Sequence, residues 1–411
     1  MKNGFAPVEI SSLLNIPVVT EHADEASFLW STRERAALAP HYHLDQLALL
    51  DERVLAHLEG LRVAGEVGLQ LATQALGNLN SGTLFVAGWL AFALQNREAM
   101  SHTFSIALSD PELSDALISA LSWLDWDNLE PLLQRLVESP LSAHRTIDLA
   151  VRVAQCIPVR QEIIAALNDP DPQLRARALR AIGERGLTEC EGALDSATSD
   201  SHEGCRFWSY WSRALQGDFR AAELAFEVSE AAQQTGPALE IAARAGYPDW
   251  VRSLIRGLAG NSTTLRQAVI AAGAFGDPAV MPWLLELCGD DAFSCVAAEA
   301  FALITGVDLE DPSLRRDPLD LEDEHPDDAF AYWVSTEALH DWWQAEQGRF
   351  TPGSRYLAGR PISEAAAIRL LHGGTQRQRR GAAIELARLR KGASVFPVTA
   401  RADRQQRWLA A

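Results

Sequence analysis

Residues 265–288 read LRQAVIAAGAFGDPAVMPWLLELC, and this stretch decides the fold class. Leu265, Ala268, Val269 and Ala272 stand at i, i+3, i+4 and i+7, one face of a helix. Gly276 ends that helix, because glycine accepts the left-handed backbone of a helix stop at no steric cost. Asp277 and Pro278 then make a turn. Val280, Met281, Leu284, Leu285 and Cys288 form a second apolar stripe, and Pro282 fits the first turn of this second helix. Alanines let the two helices approach closely. The stretch is a helical hairpin with two apolar faces, and a lone hairpin buries only one of them.

The same stop returns along the chain. Gly186, Gly217, Gly246, Gly276 and Gly306 lie 31, 29, 30 and 30 residues apart, closing the runs LRAIGERG, SRALQGD, IAARAGYPD, AAGAFGDPA and FALITGVD. Stepping back by the same interval lands on Cys156-Ile157-Pro158, Trp126-Asp127, Gln95-Asn96 and Gly65. Asn168-Asp169-Pro170-Asp171-Pro172 opens an earlier unit in the same grammar. A fixed period of this length signals hairpins stacked into a solenoid, since stacking buries the second face of each. The expected fold is therefore all-α: a right-handed HEAT-like α–α superhelix of two-helix repeats.

Four segments follow. Residues 1–66 form a helical cap, with amphipathic helices over 22–38 and 44–60 joined by Ala39-Pro40-His41-Tyr42-His43. Residues 67–306 are the repeat array. Residues 307–334 are an acidic linker, rich in Pro, Asp and Glu. Residues 335–411 are a basic helical unit: a helix over 335–347 capped by Ser335, a Gly/Pro-rich loop over 348–361, a helix from Ser363 to about Leu371, and another over 375–390.

Charge is unevenly distributed. The 411 residues hold 36 Lys and Arg against 55 Asp and Glu, a net charge of −19. Residues 353–411 carry 12 basic and 3 acidic side chains, whereas residues 1–352 carry 24 and 52. The acidic body repels a phosphate backbone, so nucleic acid is not an expected partner. Such asymmetry fits either electrostatic steering of a partner or a basic tail folded onto an acidic body. All basic residues except Lys2 and Lys391 are arginine. A GC-rich codon usage explains that, and so does a demand for bidentate carboxylate contacts.

The five cysteines, Cys156, Cys190, Cys205, Cys288 and Cys295, match no metal or redox spacing and read as free thiols of a cytoplasmic protein. No run approaches the ~18 apolar residues of a membrane span, and MKNGFAPVEISSLL lacks a signal-peptide core. Phosphate-loop, dinucleotide, nucleophile-elbow, HExxH and CxxC motifs are absent. His41 and His43, near Asp45 and Asp51, lack enforced convergence, so neither a metal nor a cofactor is expected. The candidate protein-binding residues are Trp342, Trp343, Arg355, Tyr356, Arg377, Arg379 and Arg380. Aromatics and arginine anchor interfaces, yet aromatics on helices also build cores. A Gly-flanked arginine serves recognition or pins its loop.

Two regions, HADEASFLWSTRERAALAPHYHLDQLALLDERVLAHLEGLRVAGE (22–66) and the segments ITGVDL, LHDWWQAEQGRFTPGSRYLAGRP and GGTQRQRRGAAIELARL after Ile304, resemble a bacterial family of HEAT-like proteins. In its repeats the family is similar to phycobilisome-lyase-type HEAT proteins, and its genes lie near type VI secretion genes. The resemblance implies a cytoplasmic accessory role: a non-enzymatic adaptor or chaperone for a secreted effector or secretion component. An immunity protein that neutralises a cognate toxin is the alternative, and a lyase-like or modifying enzyme a lesser one. The resemblance carries over no catalytic residue.

Overall fold

The computed structural model describes residues 14–317, 325 and 331–410. The expectations for residues 1–13, and for 318–324 and 326–330 of the acidic segment, lie outside them. The described residues are all-α, with 22 α-helices. Their strands amount to a two-residue antiparallel pair, Tyr356–Leu357 with Arg360–Pro361, and one bridge between Arg315 and Val334.

The chain divides into two compact units. One comprises the residues up to Ala36, Asp45–Val159 and Thr399–Gln406; the other comprises Ala37–Leu44, Arg160–Val398 and the residues from Arg407. In the first, helix Pro111–Ser122 packs between Ser81–Ala93 and Ser142–Ala154. In the second, five helices pack in succession: Pro172–Arg185, Glu203–Leu215, Thr235–Ala245, Leu265–Phe275 and Ser294–Thr305. Helices Phe219–Glu227, Pro248–Ala259 and Met281–Cys288 alternate with them along the chain and pack against them. The five successive helices are short of bulk where they meet. A Cβ on Gly273 would lie 2.9 Å from the Cα of Ala300, so that position needs glycine.

The thirty-residue rhythm appears as backbone conformation. Gly65, Gln95, Cys156, Gly186, Gly217, Gly276 and Gly306 all have φ between 54° and 101°. Gly246 ends its helix with φ −67°, in extended backbone. Trp126 opens a helix, the preceding one having ended at Ser122.

A second demand falls on these stops in the Arg160–Val398 unit. The last carbonyls of a helix lack intrahelical donors, and the C-terminal part of the chain supplies them. Tyr356 N donates to Gly276 O at 2.8 Å, Ala358 N to Leu303 O at 2.7 Å, Gly359 N to Ile304 O at 2.8 Å, and Val395 N to Glu184 O at 2.9 Å. The approach is so close that a Cβ on Gly276 would sit 2.2 Å from Tyr356 O. The first unit repeats the device. Arg401 donates to Trp123 O and Arg404 to Leu124 O at the end of helix Pro111–Ser122. A cation at a helix C-terminus also opposes the negative end of the helix dipole. The arginine-rich C-terminal region thus folds back onto helix ends.

Local boundaries differ from the sequence reading in explicable ways. The first helix runs Ile16–Ala36, not 22–38, because Pro17 sits in its first turn, where a missing N–H is harmless. The second runs Leu44–Val63. Ser335 caps Thr336–Glu346 by accepting from Ala338 N, and Ser363 caps Glu364–Gly373. Gln376–Leu389 forms as expected. Helix Ala402–Ala410 had no local signal; its first N–H donates to the Asp51 carboxylate at 2.6 Å. In the acidic segment, Val307, Leu314 and Val334 are buried in a core shared with Phe301 and Trp343, and Trp333 is buried as well.

Candidate functional site

The sequence reading singled out the Pro40–His43 loop and the Arg377 cluster as separate motifs 337 residues apart. The fold brings them together within the second unit. The peptide N–H of Gln376, the first residue of helix Gln376–Leu389, donates to Tyr42 O at 2.7 Å. The Gln376 side chain, wholly buried, donates to Ala37 O at 3.2 Å and Val398 O at 3.0 Å. These bonds hold the loop beside the start of that helix and the end of helix Ser294–Thr305. The walls enclose a concave site of about 250 Å³.

Its polar lining is His41, His43, Glu299, Asp308, Glu310, Tyr332, Thr375, Arg377 and Gln378, with apolar floor from Ala302, Leu303 and Val307. Arg377 bonds Glu299 at 2.9 Å and donates to Leu38 O at 3.2 Å. The Tyr332 hydroxyl donates to Glu310 at 2.6 Å. Burial and that bond push the phenol above its ordinary pKa, so it stays protonated. The His41 ring meets Tyr332 edge-on, centroids 5.3 Å apart, and Tyr42 at 4.9 Å. Burial lowers the His41 pKa, against the opposing pull of Glu310, and favours a neutral imidazole. Asp308 accepts from the backbone N–H of Glu310 at 2.8 Å, a local turn bond. Among the described residues neither Asp308 nor Glu310 forms an ion pair with any cation.

The other candidate residues occupy different places. Trp343 is buried and edge-on to Phe301, and Trp342 is half-buried against the same ring. Tyr356 is buried, with its hydroxyl accepting from Thr351 N at 3.1 Å. Arg355 donates to Phe275 O at 2.7 Å, Arg244 O at 2.9 Å and Glu385 at 2.7 Å, so it pins its own loop. Burial alone would lift Glu385, but Arg355, Arg388 and Arg244 reverse this and hold its carboxyl below the usual range. Arg380 bonds Glu240 at 2.8 Å. Arg379 is wholly buried, donating to Leu371 O at 2.8 Å and to Gln376, and burial pushes it down to about 10. Only Arg377 of the seven faces the concave site.

Asp51 does not join the histidines: it bonds Arg33 at 2.8 Å in the first unit. Among the described residues no three His, Cys, Asp or Glu groups converge on one point. None of the five cysteines forms a disulfide, and burial raises Cys205 to about 11 and Cys288 to about 12. No described helix is long and apolar enough to cross a membrane.

Glu299, Asp308 and Glu310 escaped the sequence reading. Glu299 lies inside an alanine-rich helix, and Asp308 and Glu310 belong to a segment whose composition reads as linker. Tyr332 adjoins Trp333 in sequence, but an aromatic pair alone does not mark a site. No local pattern joins these positions; only packing does. No known family model matches the chain, and no curated protein matches it in sequence.

Proposed function

We propose that this protein is a non-catalytic protein-binding scaffold, an adaptor or chaperone for a type VI secretion effector or component, acting in the cytoplasm on a HEAT-like α–α superhelix. The observation that carries the reading is the succession of packed helices, each closed near a thirty-residue mark. Such units extend a surface by adding copies and serve protein recognition on many unrelated scaffolds. Successive units also bring Phe219 and Tyr247 into a stack, centroids 5.1 Å apart, with 41% and 51% of their surfaces exposed. Exposed aromatic pairs are costly in water and favour contact with a partner. The secretion context rests on the resemblance of the two end regions.

The test is co-purification of the tagged chain with the products of neighbouring secretion genes, alongside a deletion strain. Capture of an effector, with effector secretion lost and growth normal, supports the adaptor. Self-intoxication of the deletion strain overturns it in favour of immunity, which the −19 net charge would serve by mimicking nucleic acid before a nuclease toxin. Recovery of no partner overturns both.

A further inference from the structure

We infer that the concave site between the Pro40–His43 loop and helix Gln376–Leu389 receives a basic side chain, arginine or lysine, of a partner protein. This rests on the scaffold reading and specifies its partner's chemistry. The site has equipment of both signs.

Its anion-binding groups are already engaged. The Arg377 guanidinium bonds Glu299 and Leu38 O. The first N–H of helix Gln376–Leu389 bonds Tyr42 O, and Thr375 and Gln378 close a reciprocal capping box at the same helix start. Most of the donors that a phosphate or carboxylate would need at this helix N-terminus are therefore occupied. His41 favours its neutral form.

The carboxylates of the site are not so engaged. Asp308 and Glu310 are exposed, line the site and lack an ion-pair partner among the described residues. Their present hydrogen bonds, from a backbone N–H on Asp308 and from the Tyr332 hydroxyl on Glu310, come from neutral donors. Tyr332 already attracts one cation: the Arg315 guanidinium carbon lies 4.4 Å from its ring centroid. His41 contributes a second ring, and its Nδ1 is buried without a hydrogen-bond partner. Two aromatic rings beside two carboxylates without an ion pair among the described residues suit a guanidinium or ammonium group, and about 250 Å³ suits one side chain rather than a larger ligand.

The experiment titrates the full chain with N-acetyl-arginine amide and N-acetyl-lysine amide, followed by saturation transfer from protein to ligand. N-acetyl-glutamate amide is the negative probe. Saturation of the arginine or lysine side-chain methylenes is expected, weakening at higher salt. The pair Asp308→Asn and Glu310→Gln should weaken it about tenfold, since each removes one close charge while keeping shape. Glu337→Gln, an exposed acid elsewhere, should leave it unchanged. Both site acids are exposed, so the variants should fold, as circular dichroism checks. Equal saturation in wild type and the double variant, or a stronger response to the glutamate probe, overturns the inference. Spermidine binding tighter than both blocked amino acids overturns a partner side chain in favour of a free amine. No natural partner is needed, so this test fails independently of co-purification. If a partner co-purifies equally with wild type and the double variant, the scaffold reading stands and this site is not its anchor.

Discussion

Replacing Gly276 by alanine tests whether the glycine rhythm serves helix stops alone or also the docking of the C-terminal region. Gly217 is the control. Both have left-handed backbone, φ 85° at Gly276 and 101° at Gly217. A Cβ at Gly217 meets nothing within 4 Å, whereas at Gly276 it meets Tyr356 O at 2.2 Å. Gly217→Ala therefore incurs only conformational strain of about 1–2 kcal/mol, partly offset by about 0.4–1 kcal/mol from a stiffer unfolded chain. The net is about 1 kcal/mol. At Gly276 the methyl must also drive the Tyr356 carbonyl away by about 1 Å to reach ordinary contact. That shift breaks the 2.8 Å bond from Tyr356 N to Gly276 O, worth about 1 kcal/mol. It also loosens Tyr356, which is buried against Phe350 at 5.1 Å, for about another 1 kcal/mol of lost apolar contact. Gly276→Ala should thus destabilise by about 3 kcal/mol, some 2 kcal/mol more than Gly217→Ala. A chain of two compact units need not unfold in one step, so denaturant midpoints should be read together with amide exchange at residues 356–359. Those amides should exchange faster in Gly276→Ala and be unchanged in Gly217→Ala. Equal destabilisation by the two substitutions, with equal exchange, would refute the docking argument.

Two further outcomes are expected. Arg33 is wholly buried and bonds Asp51 at 2.8 Å, Thr399 O at 2.7 Å and Ala400 O at 2.8 Å, while Asp51 caps Ala402 N. Asp51→Asn leaves that guanidinium with Glu34 alone for charge, so the loss should sit at or just below the low end of the usual range, about 2–3 kcal/mol. Limited proteolysis should then cut within residues 399–406 sooner, and an unfolding midpoint within error of wild type refutes this. The second concerns pH. Burial lowers the pKa of His41, His57 and His144 below 6.5, with His22 adding to the effect at His57. At these three sites the unfolded chain then binds more protons than the folded one below about pH 6.5, so their contribution to stability is complete above that value and falls as pH drops through it. Urea midpoints should decline from pH 7 to 5.5 and hold level from 7 to 8; a rise on acidification contradicts the assignment.

Much of the helical layout is local and was legible. The stop at Gly276, the turn at Asp277-Pro278 and the caps at Ser335 and Ser363 each depend on residues within a few positions, and each forms as the spacing implies. Gln95 and Cys156 adopt the left-handed stop without being glycine, which period and not residue type disclosed. Helix Ala402–Ala410 was not legible, because its N-terminal partner, Asp51, is 351 residues away.

The concave site divides the same way. His41, His43 and Arg377 stood out as residue types, but nothing local linked them to each other or to Glu299, Asp308 and Glu310. The sequence by itself determined the helices, their stops, and a basic region following an acidic body, because propensity, capping and net charge are properties of neighbours and sums. Tertiary structure alone decided what those arginines meet. A guanidinium such as that of Arg355 selects whichever carbonyls and carboxylates the folded chain leaves without donors. Those acceptors, Arg244 O, Phe275 O and Glu385, are assembled from three distant helices only once they have packed.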